Sequence, residues 1–272
     1  MCKLPLQYGF PFTPIKSVDE TQQSIDGGSV AAKTANGVTT ISFSHPRSNS
    51  LPGKMLAALA TSVEIAAVDP ATTVIVICSE GTSTFCAGAS FDELKAVKDA
   101  AGGKKFFMGF ARLIIAMIRC PKLIITRVHG KAVGGGVGII GASDYALATE
   151  AASIRLSELA IGLGPFIVGP AIERKIGTGP FSAMAIDADW RDAKWAERHG
   201  LYAEVHPDIP SLDAALVKRV SMLTASNPEA MARLKSVFWK DTEDWPALLE
   251  ARAEISGTLV VSKYTKKAIG VE

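Results

Sequence analysis

KAVGGGVGIIGASD, residues 131–144, carries three consecutive glycines and then two more. Gly136, Gly138 and Gly141 also spell G-x-G-x-x-G, the pattern of dinucleotide-binding loops. That pattern binds a pyrophosphate where a strand ends at its first glycine and a full crossover helix follows. Here the apolar stretch KLIITRV (122–128) ends several residues too early, and DYALATE (144–150) already predicts the next strand. A parallel crossover needs about a dozen residues, so an NAD-dependent oxidoreductase is a distant alternative that NAD binding would revive.

The same glycines suit a helix start that presents bare backbone. The first N–H groups of a helix have no intrahelical acceptor and carry partial positive charge, which favours a developing anion. A second loop, TFCAGAS (84–90), follows the apolar strand TVIVIC (73–78) and is built from similarly small residues. Together the two loops offer the two donors that an oxyanion hole needs. Each loop taken alone is also typical of a tight turn.

Strands and helices alternate through the first two thirds of the chain, which predicts an α/β core. Asn36 and Gly37, between two alternating runs, predict a β-hairpin with a type I′ turn. Helices are predicted over 55–68 and 106–118, and short strands over 73–78, 122–128, 144–150 and 152–157. Beyond about residue 168 the pattern is helical. Asn227-Pro228-Glu229 is typical of a helix start, and the apolar face that follows is formed by Met231, Leu234, Val237 and Phe238.

The composition is that of an ordinary globular protein of 272 residues, 48% hydrophobic and 21% charged, with a net charge of +2. This near-neutral charge gives no reason to expect nucleic acid or a membrane surface as partner. No apolar run approaches the roughly 18 residues of a membrane span, and the N-terminal stretch lacks the apolar core of a secretory leader. Four scattered cysteines without C-x-x-C spacing indicate reduced thiols. We therefore expect a cytoplasmic protein.

These segments together resemble the crotonase superfamily, the enoyl-CoA hydratase/isomerase family. TFCAGASFDELK (84–95) is similar to the family loop F-x-A-G-A-D-(I/L)-x-E-(L/M). The stretch 128–165 is similar to the family pattern that begins V-x-G-x-A-x-G-G-G-x-E and continues to a P-E-x-x-(L/I)-G-(L/I)-x-P segment. Asp144, Glu158, Gly162 and Pro165 all fall in register with that pattern. The resemblance covers about residues 28–200.

The resemblance implies an α/β fold, a crotonase-like spiral of ββα units, with a C-terminal helical trimerisation region. We expect an N-terminal arm (1–27), a core with the acyl-CoA site (28–200) and a helical region (201–272). The implied ligand is an acyl-CoA thioester, with no cofactor beyond the coenzyme A of the substrate. The implied assembly is a homotrimer or a hexamer.

The resemblance also implies site residues. The oxyanion hole would consist of the backbone N–H groups of Ala89 and Gly135, with Ala87 lying along the CoA. HPRSNSL (45–51) matches the CoA-contacting segment of the family, with Arg47 as a candidate for a CoA phosphate. Ser50 in that segment and Ser90, which stands where the family often has Asp, are the further candidate CoA-binding residues.

One residue of the family hydratases is missing. They place two glutamates around the α and β carbons of the substrate, and here the second is Glu158 while the first position is Gly138. Hydration needs one group to activate water and another to protonate carbon, whereas a single carboxylate suffices for a 1,3 proton shift. Glu158 lies among Leu156, Leu159 and Ile161, and we expect burial there to raise its pKa. The resemblance thus predicts a Δ3-Δ2-enoyl-CoA isomerase with Glu158 as its catalytic acid and base.

Other chemistries remain as alternatives. One is a hydratase with an atypical acid/base set, and another is a non-catalytic acyl-CoA-binding trimer. Family members that are dienoyl-CoA isomerases or hydroxyisobutyryl-CoA hydrolases use an Asp eight positions after the second carboxylate. This chain has Phe166 there, which disfavours both activities. No spacing of His, Cys and acidic residues predicts a metal site, and His129 beside the glycine loop is expected to pack beneath it.

Overall fold

The computed structural model describes residues 20–25 and 27–271. Its strands are β1 (Glu20–Ile25), β2 (Gly28–Ala35), β3 (Val38–Ser44), β4 (Val74–Ser79), β5 (Thr84–Cys86), β6 (Leu123–Val128), β7 (Lys131–Val133), β8 (Tyr145–Thr149), β9 (Ser153–Arg155), β10 (Arg191–Asp192) and β11 (Glu204–His206). Its α-helices are α1 (Gly53–Val68), α2 (Phe91–Ala96), α3 (Ala100–Arg119), α4 (Gly135–Ala142), α5 (Gly169–Ile176), α6 (Thr178–Asp187), α7 (Ala193–Arg198), α8 (Ile209–Thr224), α9 (Pro228–Phe238), α10 (Trp245–Val260) and α11 (Lys263–Ala268). A 3₁₀ turn spans Leu159–Ile161.

The main sheet has the strand order β1-β2-β3-β4-β6-β8-β11 in the described residues. Its first three strands are antiparallel, and the strands from β3 onward are parallel. The hairpin prediction is confirmed, because Asn36 and Gly37 between β2 and β3 have φ of 52° and 79°, the positive values of a type I′ turn. Strands β4 and β6 are buried along their whole length because helices cover both faces.

A second, smaller sheet has the order β10-β9-β7-β5 and carries the segments that the sequence singles out. Strands β5, β7 and β9 run parallel, so their carboxyl ends lie at one edge of the sheet. The chain leaves that edge into the small-residue loop after Cys86, into the glycine run after Val133, and into the segment that holds Glu158 after Arg155. Three loops that are distant in sequence therefore meet at one place.

The helical C-terminal part packs partly onto the core. Helices α3 and α10 approach closely where two glycines face each other, since a Cβ on Gly103 would stand 2.7 Å from the Cα of Gly257. On α9, Met231 is buried, whereas Leu234, Val237 and Phe238 of the predicted apolar face are exposed in the single chain. The role of this region in trimer formation stays a prediction.

The structure differs from the sequence-based picture at several edges. Strand β1 extends the sheet into the predicted N-terminal arm, whose residues 1–19 lie outside the described residues, and β11 adds a strand beyond residue 200. Helix α3 begins at Ala100 rather than 106 because the side chain of Asp99 caps it, accepting from the N–H of Gly102. Among the helices of the described residues, none combines the length and the apolar composition of a membrane span.

Candidate active site

A cavity of about 100 Å³ opens beside the carboxyl edge of the smaller sheet. The loop after β5, the glycine run and the segment around Glu158 line one side of it. The opposite walls are apolar and come from α2, α3 and the approach to α5; they are formed by Phe91, Leu94, Phe106, Phe107, Phe110, Phe166, Ile167 and Val168. Glu158 is the one charged residue among the lining residues that the structure describes.

Two backbone N–H groups in this cavity have no acceptor in the described chain. Gly135 is the first residue of α4, where a helix cannot supply an acceptor, and Ala89 lies in a parallel bridge with Leu51. Leu51 bonds to the flanking residues Gly88 (N to O, 2.8 Å) and Ser90 (O to N, 3.3 Å), so the N–H of Ala89 points the other way. Both residues line the cavity.

The glycines on either side of these donors permit their close approach. Gly88 has φ of 85°, and a Cβ there would stand 2.7 Å from the carbonyl oxygen of Val133 and 3.3 Å from the nitrogen of Gly135. Gly134 has φ of 50°, and a Cβ there would stand 2.9 Å from Oε1 of Glu158. A Cβ on Gly135 would fall 2.1 Å from a ring carbon of Phe110. The glycine run therefore makes room for an acid and an aromatic wall.

Glu158 stands at the start of the 3₁₀ turn with its carboxyl group in the cavity. Its Oε2 is inaccessible to solvent and lacks a hydrogen-bond partner in the described residues. Burial raises the pKa of Glu158 from 4.5 to about 7, and the backbone N–H groups of Glu158 and Ser157 offset part of that rise. The expected direction of the pKa shift is confirmed. Leu159 is 47% exposed and is not among the described residues that line the cavity.

The position of the missing first glutamate is occupied by another side chain. A Cβ on Gly138 would stand 2.5 Å from Cγ1 and 2.8 Å from Cβ of Val168. Val168 is 5% exposed and lines the cavity. The face on which a second carboxylate would lie is thus a closed aliphatic wall, and the chain has no room there for a longer residue.

The predicted CoA-binding residues lie at or near the rim. Ala87 lines the cavity, and its N–H donates to the carbonyl of Ser48 (3.0 Å). Arg47 is 66% exposed in its side chain and forms an ion pair with Asp92 of α2. Contact of any of these groups with CoA stays a prediction.

The two predicted serines interact with protein groups. Ser50 lies 3.1 Å from Nδ1 of His45 through its hydroxyl, and Ser90 caps α2 by accepting from the N–H of Glu93 (3.4 Å). Neither lines the cavity in the described residues. His129 is buried as expected, and burial, followed by the nearby charge of Arg127, lowers its pKa to about 4.

Sequence reasoning did not assign to the site the phenylalanines of α3 or Ser256, which reaches the cavity from α10. The phenylalanines follow a helical spacing that indicates burial but does not say against what. The carbonyl of Phe166, which stands in place of the Asp of other family enzymes, accepts from Nη1 of Arg252 on α10 (3.3 Å). Contacts between residues this far apart become visible only in the folded chain.

The family model for enoyl-CoA hydratase/isomerase matches residues 33–269. The chain belongs to the enoyl-CoA hydratase/isomerase family. This family membership confirms the predicted crotonase superfamily. It also agrees with the cavity, in which two free backbone donors face one buried carboxyl group.

This chain is similar to known proteins whose names state different reactions. It is 29% identical over 132 residues to (7aS)-7a-methyl-1,5-dioxo-2,3,5,6,7,7a-hexahydro-1H-indene-carboxyl-CoA hydrolase of Rhodococcus jostii, covering 48% of this chain and 51% of the relative. It is 30% identical over 161 residues to ethylmalonyl-CoA decarboxylase of Xenopus tropicalis, covering 58% and 52%. The chain spans about half the length of the curated relatives it matches.

The fold of the enoyl-CoA hydratase/isomerase family is also found by structural comparison. The crystal structure of enoyl-CoA hydratase from Bacillus halodurans superposes with a TM-score of 0.82 at 18% identity, covering 89% of this chain and 99% of that chain. This likeness shows the crotonase fold. Because the similar proteins are named as hydratase, hydrolase and decarboxylase, the side chains around the cavity must decide the chemistry.

Proposed function

We propose that this protein is an enoyl-CoA isomerase that moves a double bond from C3–C4 to C2–C3 of an acyl-CoA thioester. The observation that carries the proposal is the packing of Val168 against Gly138, which leaves Glu158 as the one carboxyl group among the described residues that line the cavity. A 1,3 proton shift needs one group that removes and returns a proton. Hydration needs two groups and a water molecule between them.

In the proposed reaction the thioester carbonyl accepts hydrogen bonds from the N–H groups of Ala89 and Gly135. Glu158 removes a proton from C2, and the electron pair of that C–H bond forms a dienolate whose charge rests on the thioester oxygen. The same carboxyl group returns the proton to C4, and the new double bond lies between C2 and C3. Losing one donor of an oxyanion hole typically costs about 3 kcal/mol of transition-state stabilisation, so both N–H groups are expected to be essential.

The pKa of about 7 suits Glu158 to this double role. Near neutral pH a substantial fraction of the enzyme holds the carboxylate that removes the first proton. After the transfer, the carboxylic acid is a competent donor because its pKa is not far below the working pH. An exposed glutamate with the ordinary value would be a weaker base.

The acyl group is proposed to be uncharged. Apart from Glu158, the described lining consists of apolar side chains, bare backbone, Ser157 and Ser256, and Ser256 donates to the carbonyl of Arg252 (3.1 Å). A carboxylate on the acyl group would be buried in these walls without a partner, which is costly. This argues against substrates with a second carboxylate, such as the one named for the decarboxylase relative.

We further propose that the protein is a cytoplasmic homotrimer or hexamer that needs no cofactor beyond the CoA of its substrate. The exposed apolar side chains of Leu234, Val237 and Phe238 on α9 support an assembly through the helical region. The second candidate function is a hydratase that uses Glu158 with a water held elsewhere, and the third is an acyl-CoA-binding protein without turnover.

The test offers purified protein a 3-enoyl-CoA and a 2-enoyl-CoA and follows thioester absorbance and product mass. Wild type is expected to convert the 3-enoyl-CoA without a change in mass, and Glu158→Gln is expected to abolish this. Glu229→Gln, an exposed carboxylate paired with Arg233 on α9, is the matched control and should retain full activity. A gain of one water would establish the hydratase instead, and binding without turnover would leave the binding protein.

A further inference from the structure

Helix α11 is hydrogen-bonded to two segments that flank the cavity, the end of α2 and the turn after Glu158. Residues from α2, from the segment after Glu158 and from the C-terminus form one buried apolar cluster, whose core is Leu94, Val97, Leu163, Val260 and Ile269. Phe106, Phe107 and Ile161, which line the cavity, pack against that cluster. Two adjacent polar residues of α11, Thr265 and Lys266, are buried at this junction.

Lys266 is hydrogen-bonded to the end of α2, the helix that follows the proposed oxyanion donor Ala89. Its residue is 9% exposed, and its Nζ donates to the carbonyl of Val97 (2.5 Å) and more weakly to that of Lys95 (3.5 Å). These carbonyls are at the carboxyl end of α2, where a cation is favourable. Helix α2 is six residues long and follows Ala89 after a single capping residue. Because so short a helix is unstable by itself, Lys266 is well placed to keep the Ala89 loop ordered.

Thr265 is hydrogen-bonded to the turn that begins at the proposed acid Glu158. It is fully buried, and its hydroxyl donates to the carbonyl of Gly162 (3.3 Å). Gly162 has φ of 80° and lies under the ring of Tyr264, where a Cβ would be 2.5 Å from Cδ1. Gly162 closes the turn that begins at Glu158, whose carbonyl accepts from the N–H groups of Ile161 (3.1 Å) and Leu163 (2.9 Å).

We propose that α11 is a clamp in which Lys266 and Thr265 act as positioning residues that set the spacing between the Ala89 donor and the Glu158 carboxyl group. The clamp rests on the proposed function, because it assigns a purpose to the distance between an acid and an oxyanion donor. In this proposal the C-terminal helix limits the access of water to the cavity and fixes the spacing between the Glu158 carboxyl group and the Ala89 donor. Neither residue lines the cavity or is expected to touch the substrate.

The test compares Lys266→Met with Lys267→Met, a matched change of the exposed neighbour on the same helix. Lys266→Arg, which keeps a donor for the α2 carbonyls, is the conservative variant. On the other wall, Thr265→Val removes the hydroxyl, and Thr265→Ser keeps it. Each protein is analysed for kcat and KM with a 3-enoyl-CoA, for thermal unfolding, and for the titration of the Glu158 carboxyl carbon by NMR in the ligand-free protein, with Glu158→Gln to assign the signal.

Lys266→Met and Thr265→Val are each expected to lower kcat about tenfold or more with KM changed less than about twofold, because small misplacements of reacting groups act mainly on the transition state. The pKa of Glu158 should fall from about 7 toward its ordinary value, because a loosened rim admits water and burial is the main cause of the raised value. The lining residues from α2, α3, α4 and α10 place no other charged group at the cavity. Lys267→Met and the two conservative variants should match wild type.

A loss of thermal stability with an unchanged Glu158 titration and an unchanged kcat would overturn the clamp and leave α11 a purely structural helix. If Lys266→Met does not fold, Thr265→Val alone decides, because it touches only the other wall. The NMR titration separates the clamp from the proposed reaction. A shifted Glu158 pKa in a protein that isomerises no 3-enoyl-CoA would support the clamp and reject the isomerase.

Discussion

Replacing Gly138 with alanine tests whether the wall formed by Val168 is closed. The new Cβ would stand 2.5 Å from Cγ1 of Val168, about 0.9 Å inside the 3.4 Å at which ordinary contact begins. Overpacking of this kind typically destabilises a core by about 1–3 kcal/mol. With Val168→Gly the nearest remaining atom of that residue is Cα at 3.6 Å, and alanine should then stabilise α4 by about 1 kcal/mol over glycine. The two changes are therefore expected to couple by about 2 kcal/mol or more.

Urea unfolding of wild type, both single variants and the double variant measures that coupling directly. If Gly138→Ala is as stable as wild type while Val168 is present, the site has room, and the steric argument against a second carboxylate is wrong. The functional counterpart is the pair Gly138→Glu with Val168→Gly. We expect it to add water to a 2-enoyl-CoA, seen as a gain in mass, whereas Gly138→Glu alone should fail to fold or to hydrate.

Four further predictions follow from other features of the structure. Burial raises the pKa of Glu158 from 4.5 to about 7, so the ionised carboxylate destabilises the folded protein. This cost is absent below pH 4.5 and grows as the pH rises through 7. Glu158→Gln should therefore raise the free energy of unfolding by about 1–3 kcal/mol at pH 8 and leave it unchanged at pH 4. Wild-type kcat/KM should fall about tenfold per pH unit below the same pKa, since the protonated acid cannot remove a proton, and a flat profile would exclude Glu158 as the base. Lys235→Met should cost about 3–5 kcal/mol in urea unfolding, because it removes the cation that lies 2.8 Å from the buried carboxylate of Asp144. That carboxylate would keep only the hydrogen bonds from Ile124 and Trp239 and the more distant charge of Lys175. Gly135→Ala should abolish turnover, because the new Cβ would fall 2.1 Å from the ring of Phe110; an active variant would contradict the assigned position of the donor.

Much of the fold was predictable from local pattern. The hairpin around Asn36 and Gly37, the helix over 53–68 and the helix that Asn227 caps were all expected, because turn chemistry, helical spacing and caps act over a few residues. Strands β5, β7, β10 and β11 have three residues or fewer, too few for any period to show. They form because neighbouring strands supply the hydrogen bonds.

The candidate site, like the fold, was predictable only in part. The positions of Ala89, Gly135 and Glu158 came from motifs in register, and the structure brings all three to one cavity. The loss of the first glutamate at Gly138 was also visible, but nothing in the sequence showed what fills its place. The sequence neighbours of Glu158 did not show how it is buried, because Leu159 beside it is 47% exposed, whereas distant residues line the cavity.

The sequence by itself therefore determined which positions leave the backbone N–H groups of the site uncovered. It also determined that the second glutamate of the family is present as Glu158 and that the first is replaced by Gly138, since each of these is the property of one position. Only the tertiary structure decided that Val168 packs against Gly138 and that phenylalanines from two helices line the cavity. The same holds for the hydrogen bonds from α11 to the two segments beside the cavity. The physical reason is that the closed wall and the cavity around Glu158 are built by residues far apart along the chain, 30 positions for Gly138 and Val168 and 98 for Glu158 and Ser256. Such neighbours are selected by packing of the whole core, which no local pattern records.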